Sequence, residues 1–179
     1  MTPEVFSKAT GVPLSRAQKW ADPVTAALAL YDISEPLEVA HWLSQVGHES
    51  GGFVYTKELW GPTPAQVRYE GRKDLGNTVA GDGKRYMGRG LLQVTGRANY
   101  VKAASALNID CVNHPELLEE PTNAALSACD YWQRTSGLRV AAQNDDVLTV
   151  TKRINGGTNG LEDRKARLKV AKEVLCGLE

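Results

Sequence analysis

The feature that most constrains this fold is the contrast between helix-forming segments and a single glycine-rich stretch in the middle of the chain. From Gly61 to Gly96 the sequence holds eight glycines and two prolines, which disfavour a long helix there. Within this stretch, Gly81-Asp82-Gly83 is a turn signature between the short segments 78–80 and 84–87, as in a β-hairpin. The pattern predicts a mainly α-helical protein with a small β-hairpin or irregular loop excursion and a cleft between two lobes.

Helix-start signals and apolar residues at helical spacing occur on both sides of that stretch. Thr2-Pro3-Glu4 caps a first helix, and Asp22-Pro23 is expected to begin a helix separate from a shorter one over 13–20. Ser34-Glu35-Pro36 opens a helix that ends before Gly51-Gly52. Further helices are expected after Thr63-Pro64 and over 97–107, 123–134, 146–154 and 161–175.

Length and charge limit the organisation and the partners of the chain. With 179 residues it suits one domain, 1–179, with two lobes. Lys plus Arg equals Asp plus Glu, so no overall field attracts nucleic acid and we expect no such partner. No apolar run approaches the roughly 20 residues of a membrane span, so we expect no stable membrane insertion. We expect a monomer.

The cysteines, the N-terminus and the histidines bear on compartment and cofactors. Cys111, Cys129 and Cys176 are an odd number at wide spacings, which predicts free thiols in a protein made in a reducing compartment. The first residues lack a basic stretch followed by a long apolar run, so we expect no signal peptide. His41 and His48 lie seven apart without an HExxH arrangement, and we expect neither a metal site nor another cofactor.

Glu49 is the first candidate for chemistry, at the end of the helix expected over 36–49. At 3.6 residues per turn it lies above Trp42 and Gln45, on the shoulder of the apolar stripe of this helix. Partial desolvation beside apolar groups favours a protonated carboxyl group, which a general acid requires. The residue pattern alone fits an ordinary acidic residue at a helix end equally well.

A second carboxyl group, Glu58, follows beyond Gly51-Gly52. Because two glycines end the helix, we expect Glu58 on a separate segment, where it faces Glu49 across a groove. Glycosidases commonly use two carboxyl groups, of which one protonates the leaving oxygen and the other activates water or attacks directly. The spacing by itself does not distinguish such a pair from two unrelated acids.

Two further stretches carry polar groups suited to a sugar. Within 86–100, the candidates for hydrogen bonding are Gln93, Thr95 and Asn99, and the candidates for stacking are Tyr86 and Tyr100. The alternative is a tight turn into a helix, with the tyrosines in the core. In the loop 154–164, Asn155 and Arg164 are candidates to hold an N-acetyl group and to orient a catalytic carboxylate. The alternative there is an ordinary helix C-cap.

Taken together, several segments resemble one enzyme family. They are His48-Glu49-Ser50-Gly51-Gly52-Phe53, Glu58, Gly81-Asp82-Gly83, Gly88-Arg89-Gly90 to Asn99-Tyr100, and Ile154-Asn155-Gly156-Gly157. In this order over residues 40–165 they resemble the family 19 glycoside hydrolases, which include plant-type chitinases and many bacteriophage endolysins. The short chain without a signal peptide is similar to the endolysin branch, whereas the plant enzymes are secreted and disulfide-bonded.

The resemblance implies a lysozyme-like helical fold and an inverting mechanism without a cofactor. It places Glu49 at the general acid and Glu58 at the general base, with Glu70 as an alternative second carboxylate. The other matched positions are Thr95, which helps hold the nucleophilic water, Gln93, Asn99 and Asn155, which bind substrate, and Arg164, a charged residue near the base.

The leading hypothesis is an endolysin that hydrolyses the β-1,4 bond between N-acetylmuramic acid and N-acetylglucosamine in bacterial peptidoglycan. Such an enzyme stays in the host cytoplasm until release, then acts on the cell wall in the periplasm and lyses the host, here without a separate wall-binding domain. The alternatives are a chitinase, a lytic transglycosylase and a non-catalytic glycan-binding module. Glu58 and Thr95 disfavour the transglycosylase, which needs one acid, and two acids disfavour the binding module.

Overall fold

The computed structural model describes residues 1–177, and the chain is mainly α-helical, as predicted. The helices are α1 (Pro3–Thr10), α2 (Leu14–Leu30), α3 (Pro36–Glu49), α4 (Pro64–Val67), α5 (Asp82–Arg85), α6 (Arg97–Leu107), α7 (Pro121–Arg134), α8 (Leu138–Gln143), α9 (Val147–Asn155) and α10 (Leu161–Leu175). Two 3₁₀ helices, Lys73–Leu75 and Pro115–Glu119, and two isolated β-bridges complete the regular structure of this part of the chain. No helix within residues 1–177 is both long and apolar enough to cross a membrane.

The described chain divides into two compact units. The first comprises Met1–Val54 and the chain from Ala128 onward, and the second is Tyr55–Ser127. The first unit is built from long helices, and the second contains the glycine-rich excursion together with α6.

Helix α3 lies at the centre of the first unit and ends at Glu49. Trp42, halfway along α3, is fully buried. Helix α10 packs along α3, with Leu168 and Ala171 against Ala40, and α1, α8 and α9 also contact it. Burial of a Leu or Val side chain stabilises a fold by about 1.5–3 kcal/mol, so contacts on several sides fix the position of α3 and of the glutamate at its end.

A buried polar cluster ties α3 to α7 and α8. Glu38 is fully buried and accepts hydrogen bonds from Trp132 Nε1 at 3.0 Å, Arg139 Nε at 2.7 Å and Gln143 Nε2 at 3.0 Å. These donors compensate the cost of burying a carboxylate. The last two lie on α8, a six-residue helix that was not predicted because it is too short to show a clear apolar period.

The prediction of two helices around Pro23 was wrong, because α2 runs continuously from Leu14 to Leu30. A proline in a helix interior removes one backbone hydrogen bond and costs about 3 kcal/mol. Trp20 and Val24, on either side of Pro23, are both fully buried. Burial of these side chains is worth as much as the proline costs, so packing overrides the local signal.

The β-hairpin predicted at Gly81-Asp82-Gly83 was also wrong. Of the two predicted alternatives, the structure has the irregular loop excursion. Gly81, with φ 91°, is the N-cap of α5. Asp82 is 1% exposed and accepts a 2.8 Å hydrogen bond from Arg97 Nε at the start of α6. This ion pair draws the segment inward, where it continues as a helical turn rather than as a strand.

Candidate active site

Glu49 lies at the C-terminal end of α3, with its side chain 29% exposed. Its carboxylate accepts a hydrogen bond from Arg164 Nη2 on α10, and the two form an ion pair. A negative charge at a helix C-terminus is unfavourable, because the last carbonyl groups there are not paired within the helix. The guanidinium of Arg164 compensates this cost and fixes the direction of the carboxylate.

Arg164 is 1% exposed, and its guanidinium donates hydrogen bonds to three protein groups. Besides Glu49, Nη1 donates to Gln45 Oε1 at 2.6 Å and Nε donates to the carbonyl of Asn159 at 3.2 Å. Gln45 is itself held by Thr151, whose hydroxyl accepts from Gln45 Nε2 at 3.2 Å. The prediction that Arg164 contacts a sugar was therefore wrong, because its side chain is buried and its donors are used by protein groups. Its contact with a candidate catalytic carboxylate agrees with the other half of the prediction. That carboxylate is Glu49, the candidate acid, whereas the resemblance implied a position near the base.

A second tether joins the same ends of α3 and α10. His48 Nδ1 lies 2.7 Å from Asp163 Oδ2, and Arg167 Nε donates to the same oxygen at 2.7 Å. Burial alone would raise the pKa of Asp163, but the hydrogen bonds from Arg167 and His48 lower it. Gly160, with φ 71°, packs against the imidazole, and a Cβ there would come within 2.2 Å of His48 Cε1. This close approach allows the loop before α10 to reach the end of α3.

His41 and His48 each contact an aspartate that is distant in the sequence. His41 Nε2 lies 2.8 Å from Asp145 Oδ1, and His48 pairs with Asp163. Within residues 1–177, no group of three or more His, Cys, Asp and Glu side chains is arranged to hold a metal ion.

Asn155 is the last residue of α9 and is exposed. Gly156, with φ 79°, terminates the helix in the left-handed conformation, and Asn155 Oδ1 accepts a hydrogen bond from the backbone amide of Asn159 at 3.3 Å. The segment thus forms an ordinary helix C-cap, and the exposed Asn155 side chain remains accessible to a ligand. Its substrate-binding role stays a prediction.

Glu58, in the second unit, is held by three hydrogen bonds. Its backbone amide donates to the carbonyl of Gly88 at 2.9 Å, and Gly88 N–H donates to Glu58 Oε1 at 2.8 Å. Tyr69 Oη donates to Glu58 Oε2 at 3.3 Å. The neighbouring amide of Gly90 donates to the carbonyl of Thr56 at 2.8 Å, which extends the pairing of the two segments. Glu58 is half-buried, with one donor at each carboxylate oxygen.

Tyr69 was not predicted as a functional residue, since no motif or helical spacing connects it to Glu58. Burial raises the pKa of the Tyr69 phenol, and the neighbouring charge of Glu58 raises it further. The hydroxyl group therefore keeps its proton and serves as a donor to the carboxylate. The carbonyl of Tyr69 accepts a 2.9 Å hydrogen bond from Nδ2 of Asn77, whose Oδ1 accepts from the amide of Arg97 at 2.9 Å. Tyr69 is thereby tied to the start of α6.

Glu70, the alternative second carboxylate, is committed to the backbone of the glycine-rich excursion. Gly81 N–H donates to Glu70 Oε1 at 2.7 Å, and Gly83 N–H donates to Oε2 at 2.9 Å. Because both oxygens of Glu70 are occupied by backbone amides of this loop, Glu58 is favoured over Glu70 as the candidate base.

Arg89 supports the segment that contacts Glu58. Its backbone forms bridges with Lys57 on one side and Val94 on the other. Arg89 is 8% exposed, and its guanidinium donates to Glu119 Oε1 at 2.8 Å and to the Tyr100 hydroxyl at 3.0 Å. The sequence motif contained Arg89 without indicating a role for it; in the structure it anchors the turn that carries Gly88.

Tyr86 and Tyr100 are core residues, and the prediction that they stack on a sugar was wrong. They are 1% and 0% exposed, with ring centroids 5.0 Å apart. Tyr86 Oη donates to the carbonyl of Val112 at 2.9 Å, and Tyr100 Oη donates to that of Met87 at 2.5 Å. Burial raises the pKa of Tyr100 far above its ordinary value, although Arg89 acts in the opposite direction.

Gln93, Thr95 and Asn99 remain accessible, as a substrate-binding role requires. Gln93 is exposed, and Thr95 and Asn99 are half-buried. Gln93 packs on Gly88, where a Cβ would come within 2.7 Å of Gln93 Oε1. Asn99 Nδ2 donates to the carbonyl of Thr95 at 2.8 Å, so the two side chains are held at the start of α6. Their roles toward substrate stay predictions.

Comparison with protein families and with individual sequences gives one consistent result. The family model for class I chitinases, glycoside hydrolase family 19, matches residues 27–152. A glycosyl hydrolase family 19 domain-containing protein of Haemophilus influenzae is 31% identical over 155 residues, covering 72% of this chain and 75% of that protein. An endochitinase of Arabidopsis thaliana is 32% identical over 120 residues, covering 67% of this chain and 40% of its own length.

Comparison with solved structures supports the same fold. Chitinase C from Streptomyces griseus superposes with a TM-score of 0.75 at 22% identity, over 97% of this chain and 91% of that chain. A bacterial family 19 chitinase superposes with a TM-score of 0.73 at 25% identity, over 99% of this chain and 95% of the other. The chain therefore has the lysozyme-like helical fold that the sequence predicted.

Proposed function

Because the chain belongs to glycoside hydrolase family 19, the class I chitinases, we propose that it hydrolyses a β-1,4 bond beside an N-acetylated amino sugar with inversion. The chain is a chitinase-like glycoside hydrolase by its family. In the proposed reaction Glu49 is the general acid and Glu58 the general base. The observation that carries the proposal is the half-exposed Glu49 carboxylate, which buried Arg164 holds in one orientation.

Glu49 donates its proton to the glycosidic oxygen as the bond to the leaving sugar breaks. Proton transfer leaves an anionic carboxylate at the C-terminal end of α3, where the helix itself disfavours negative charge. Arg164 stabilises this anion by a charge-assisted hydrogen bond, so its contribution grows as the proton leaves.

Glu58 removes a proton from the water that attacks the anomeric carbon. Its oxygens accept from Gly88 N–H and the Tyr69 hydroxyl, which are neutral donors that aim the carboxylate without adding a full positive charge. Thr95 is proposed to help hold the water, and Gln93, Asn99 and Asn155 are proposed to bind the sugar hydroxyl and acetamide groups.

We propose peptidoglycan as the substrate and host cell lysis by an endolysin as the role. The support is the departure from the secreted, disulfide-bonded plant branch, since Cys111, Cys129 and Cys176 are all free thiols. Chitin is the second candidate, favoured by the endochitinases among the relatives. Both polymers present N-acetylglucosamine to the site, so the choice requires a direct measurement.

Mass spectrometry of released fragments tests the proposal. The wild type and Glu49→Gln are incubated with purified peptidoglycan and, separately, with chitin oligomers. We expect reducing N-acetylmuramic acid ends from peptidoglycan, released about 10²–10⁴-fold more slowly by the variant, because that is the usual contribution of a general acid. The released sugar should first appear as the inverted anomer.

Each other outcome points to one alternative. Reducing N-acetylglucosamine ends from peptidoglycan would move the cut to the other bond, and cleavage of chitin alone would make the protein a chitinase. Anhydro ends, one water lighter, would replace hydrolysis by transglycosylation and remove Glu58 from its role. Binding without cleavage of either glycan by folded wild type would indicate a binding module.

A further inference from the structure

Trp60 differs from the other tryptophans of this chain in its exposure. The sequence has four, and Trp20, Trp42 and Trp132 are all 0% exposed. Trp60 is partly exposed and lies two residues after Glu58. Trp60 takes no part in the proton transfers of the proposed reaction. A large aromatic residue that is partly exposed close to a candidate catalytic carboxylate indicates a binding surface.

The loop that carries Trp60 is fixed by hydrogen bonds to the side chain of Gln66. Gln66, on α4, is 4% exposed, and its Oε1 accepts hydrogen bonds from the amides of Gly61 at 3.0 Å and Thr63 at 2.8 Å. Its Nε2 donates to the carbonyl of Leu59 at 2.9 Å. One buried amide group thus fixes both sides of Trp60. A site that is ordered in advance loses less entropy when a ligand binds.

The surroundings of Trp60 connect it to the candidate base. The ring centroid of Tyr69 lies 6.4 Å from that of Trp60, at an interplanar angle of 42°. The hydroxyl group of the same Tyr69 donates to Glu58. Leu59 and Val67, which flank the loop, are 72% and 59% exposed. Trp60 is thus linked to Glu58 through Tyr69, and exposed apolar side chains flank its loop.

We propose that Trp60, backed by Tyr69, is a platform on which a pyranose ring of the glycan strand stacks next to the bond that Glu58 helps to cleave. This inference rests on the proposed function. The flat face of a pyranose presents C–H groups, which pack on the electron-rich face of an aromatic ring, while its hydroxyl groups point outward to polar residues and water. Because Gln66 orders the loop, Trp60 is in place before the sugar arrives.

Intrinsic fluorescence offers a direct test, because the other three tryptophans are buried. Glu49→Gln, in which cleavage should be about 10²–10⁴-fold slower, is titrated with the N-acetylglucosamine tetramer and with peptidoglycan fragments. We expect a saturable change in emission and protection from acrylamide quenching. The emission change and the protection should both disappear in the double variant Glu49→Gln/Trp60→Phe, because the tryptophan that responds to the glycan is absent.

Affinity gives the second readout. Trp60→Ala should weaken glycan binding up to about tenfold, which corresponds to about 1.4 kcal/mol, and Trp60→Phe should restore part of the loss. Leu30→Ala is the matched control, since Leu30 is 73% exposed on α2 and should leave affinity unchanged. Circular dichroism checks that each variant is folded.

The outcomes separate this inference from the proposed function. Cleavage of a glycan by the wild type without any fluorescence response or loss of affinity at Trp60 would overturn the platform and leave the hydrolase intact. Saturable binding at Trp60 by a glycan that the wild type does not cleave would keep the platform and reject the reaction. A response to protein concentration instead of glycan would assign Trp60 to self-association and overturn the inference.

Discussion

Glu49 and Glu58 differ in the groups that hold their carboxylates. Glu49 accepts from the positively charged Arg164, whereas Glu58 accepts from the amide of Gly88 and the hydroxyl of Tyr69. A guanidinium favours an anion more strongly than a neutral donor does. The charged partner therefore suits the group that becomes negative in the reaction, and the neutral partners suit a group that starts negative and must take up a proton.

Tyr69→Phe tests this difference, because it removes one donor from Glu58 and keeps the ring. A hydrogen bond contributes about 1 kcal/mol, so we expect kcat/KM to fall roughly 5- to 10-fold. The rate of glycan cleavage at a fixed pH checks this effect.

Tyr131→Phe is the matched control for that substitution. Tyr131 Oη donates to the carbonyl of Arg153 at 3.1 Å, so this variant also loses one phenolic hydrogen bond, but none to a candidate catalytic group. It should keep the wild-type kcat/KM. A Tyr69→Phe enzyme with unchanged kcat/KM would show that Tyr69 does not position Glu58.

The elements that were predicted correctly are those in which local pattern and packing agree. The helix expected over 36–49 has a proline at its start, an apolar stripe and two glycines after its end, and α3 has those bounds. The helices over 97–107 and 161–175 likewise match α6 and α10. The errors fall at Pro23 and at Gly81, where a local break signal competes with buried partners that are distant in the sequence.

Pro23→Ala measures how much stability the proline inside α2 costs. Alanine restores the backbone N–H that proline lacks and has the highest helix propensity, so we expect the free energy of unfolding to rise by about 1–2 kcal/mol. Urea denaturation gives the value from the shift of the unfolding midpoint, provided that the dependence of the free energy on urea concentration (the m-value) is unchanged. Pro13→Ala is the control, since Pro13 is the N-cap of α2 and lies outside the helix interior. An unchanged midpoint for Pro23→Ala would mean that the helix bends so that the new donor finds no acceptor.

At the scale of the whole molecule, the order of the motifs along the chain predicted the family and the fold, but not the partners of each side chain. The segments from His48 to Gly157 identified the enzyme class, because that combination in that order is specific. Arg164 contacts Glu49 across 115 positions of sequence, and Glu38 contacts Trp132 across 94. Such pairs follow from how the helices pack, which a single sequence does not reveal. For the same reason the burial of Tyr86 and Tyr100 was not apparent.

One of these distant pairs connects the stability of the first unit to pH. His41 is fully buried on α3, with Nε2 2.8 Å from Asp145 Oδ1, and Lys172 pairs with the same aspartate. Among the residues described, Nδ1 of His41 has no hydrogen-bond partner, so a protonated ring would bury an unsatisfied N–H. Burial lowers the pKa of His41, although Asp145 acts in the opposite direction.

Because the folded-state pKa of His41 lies below the value of about 6.5 for an unfolded chain, the unfolded state takes up more protons as the pH falls below that value. The contribution of neutral His41 to stability is present above this pH and is lost as the pH decreases toward the folded-state pKa. We therefore expect the free energy of unfolding in urea to decline from about pH 7 to pH 5, with a smaller decline in His41→Gln. His114→Gln removes an exposed imidazole and should keep the wild-type slope. Equal slopes for wild type and His41→Gln would show that the buried imidazole is not the group that couples stability to pH.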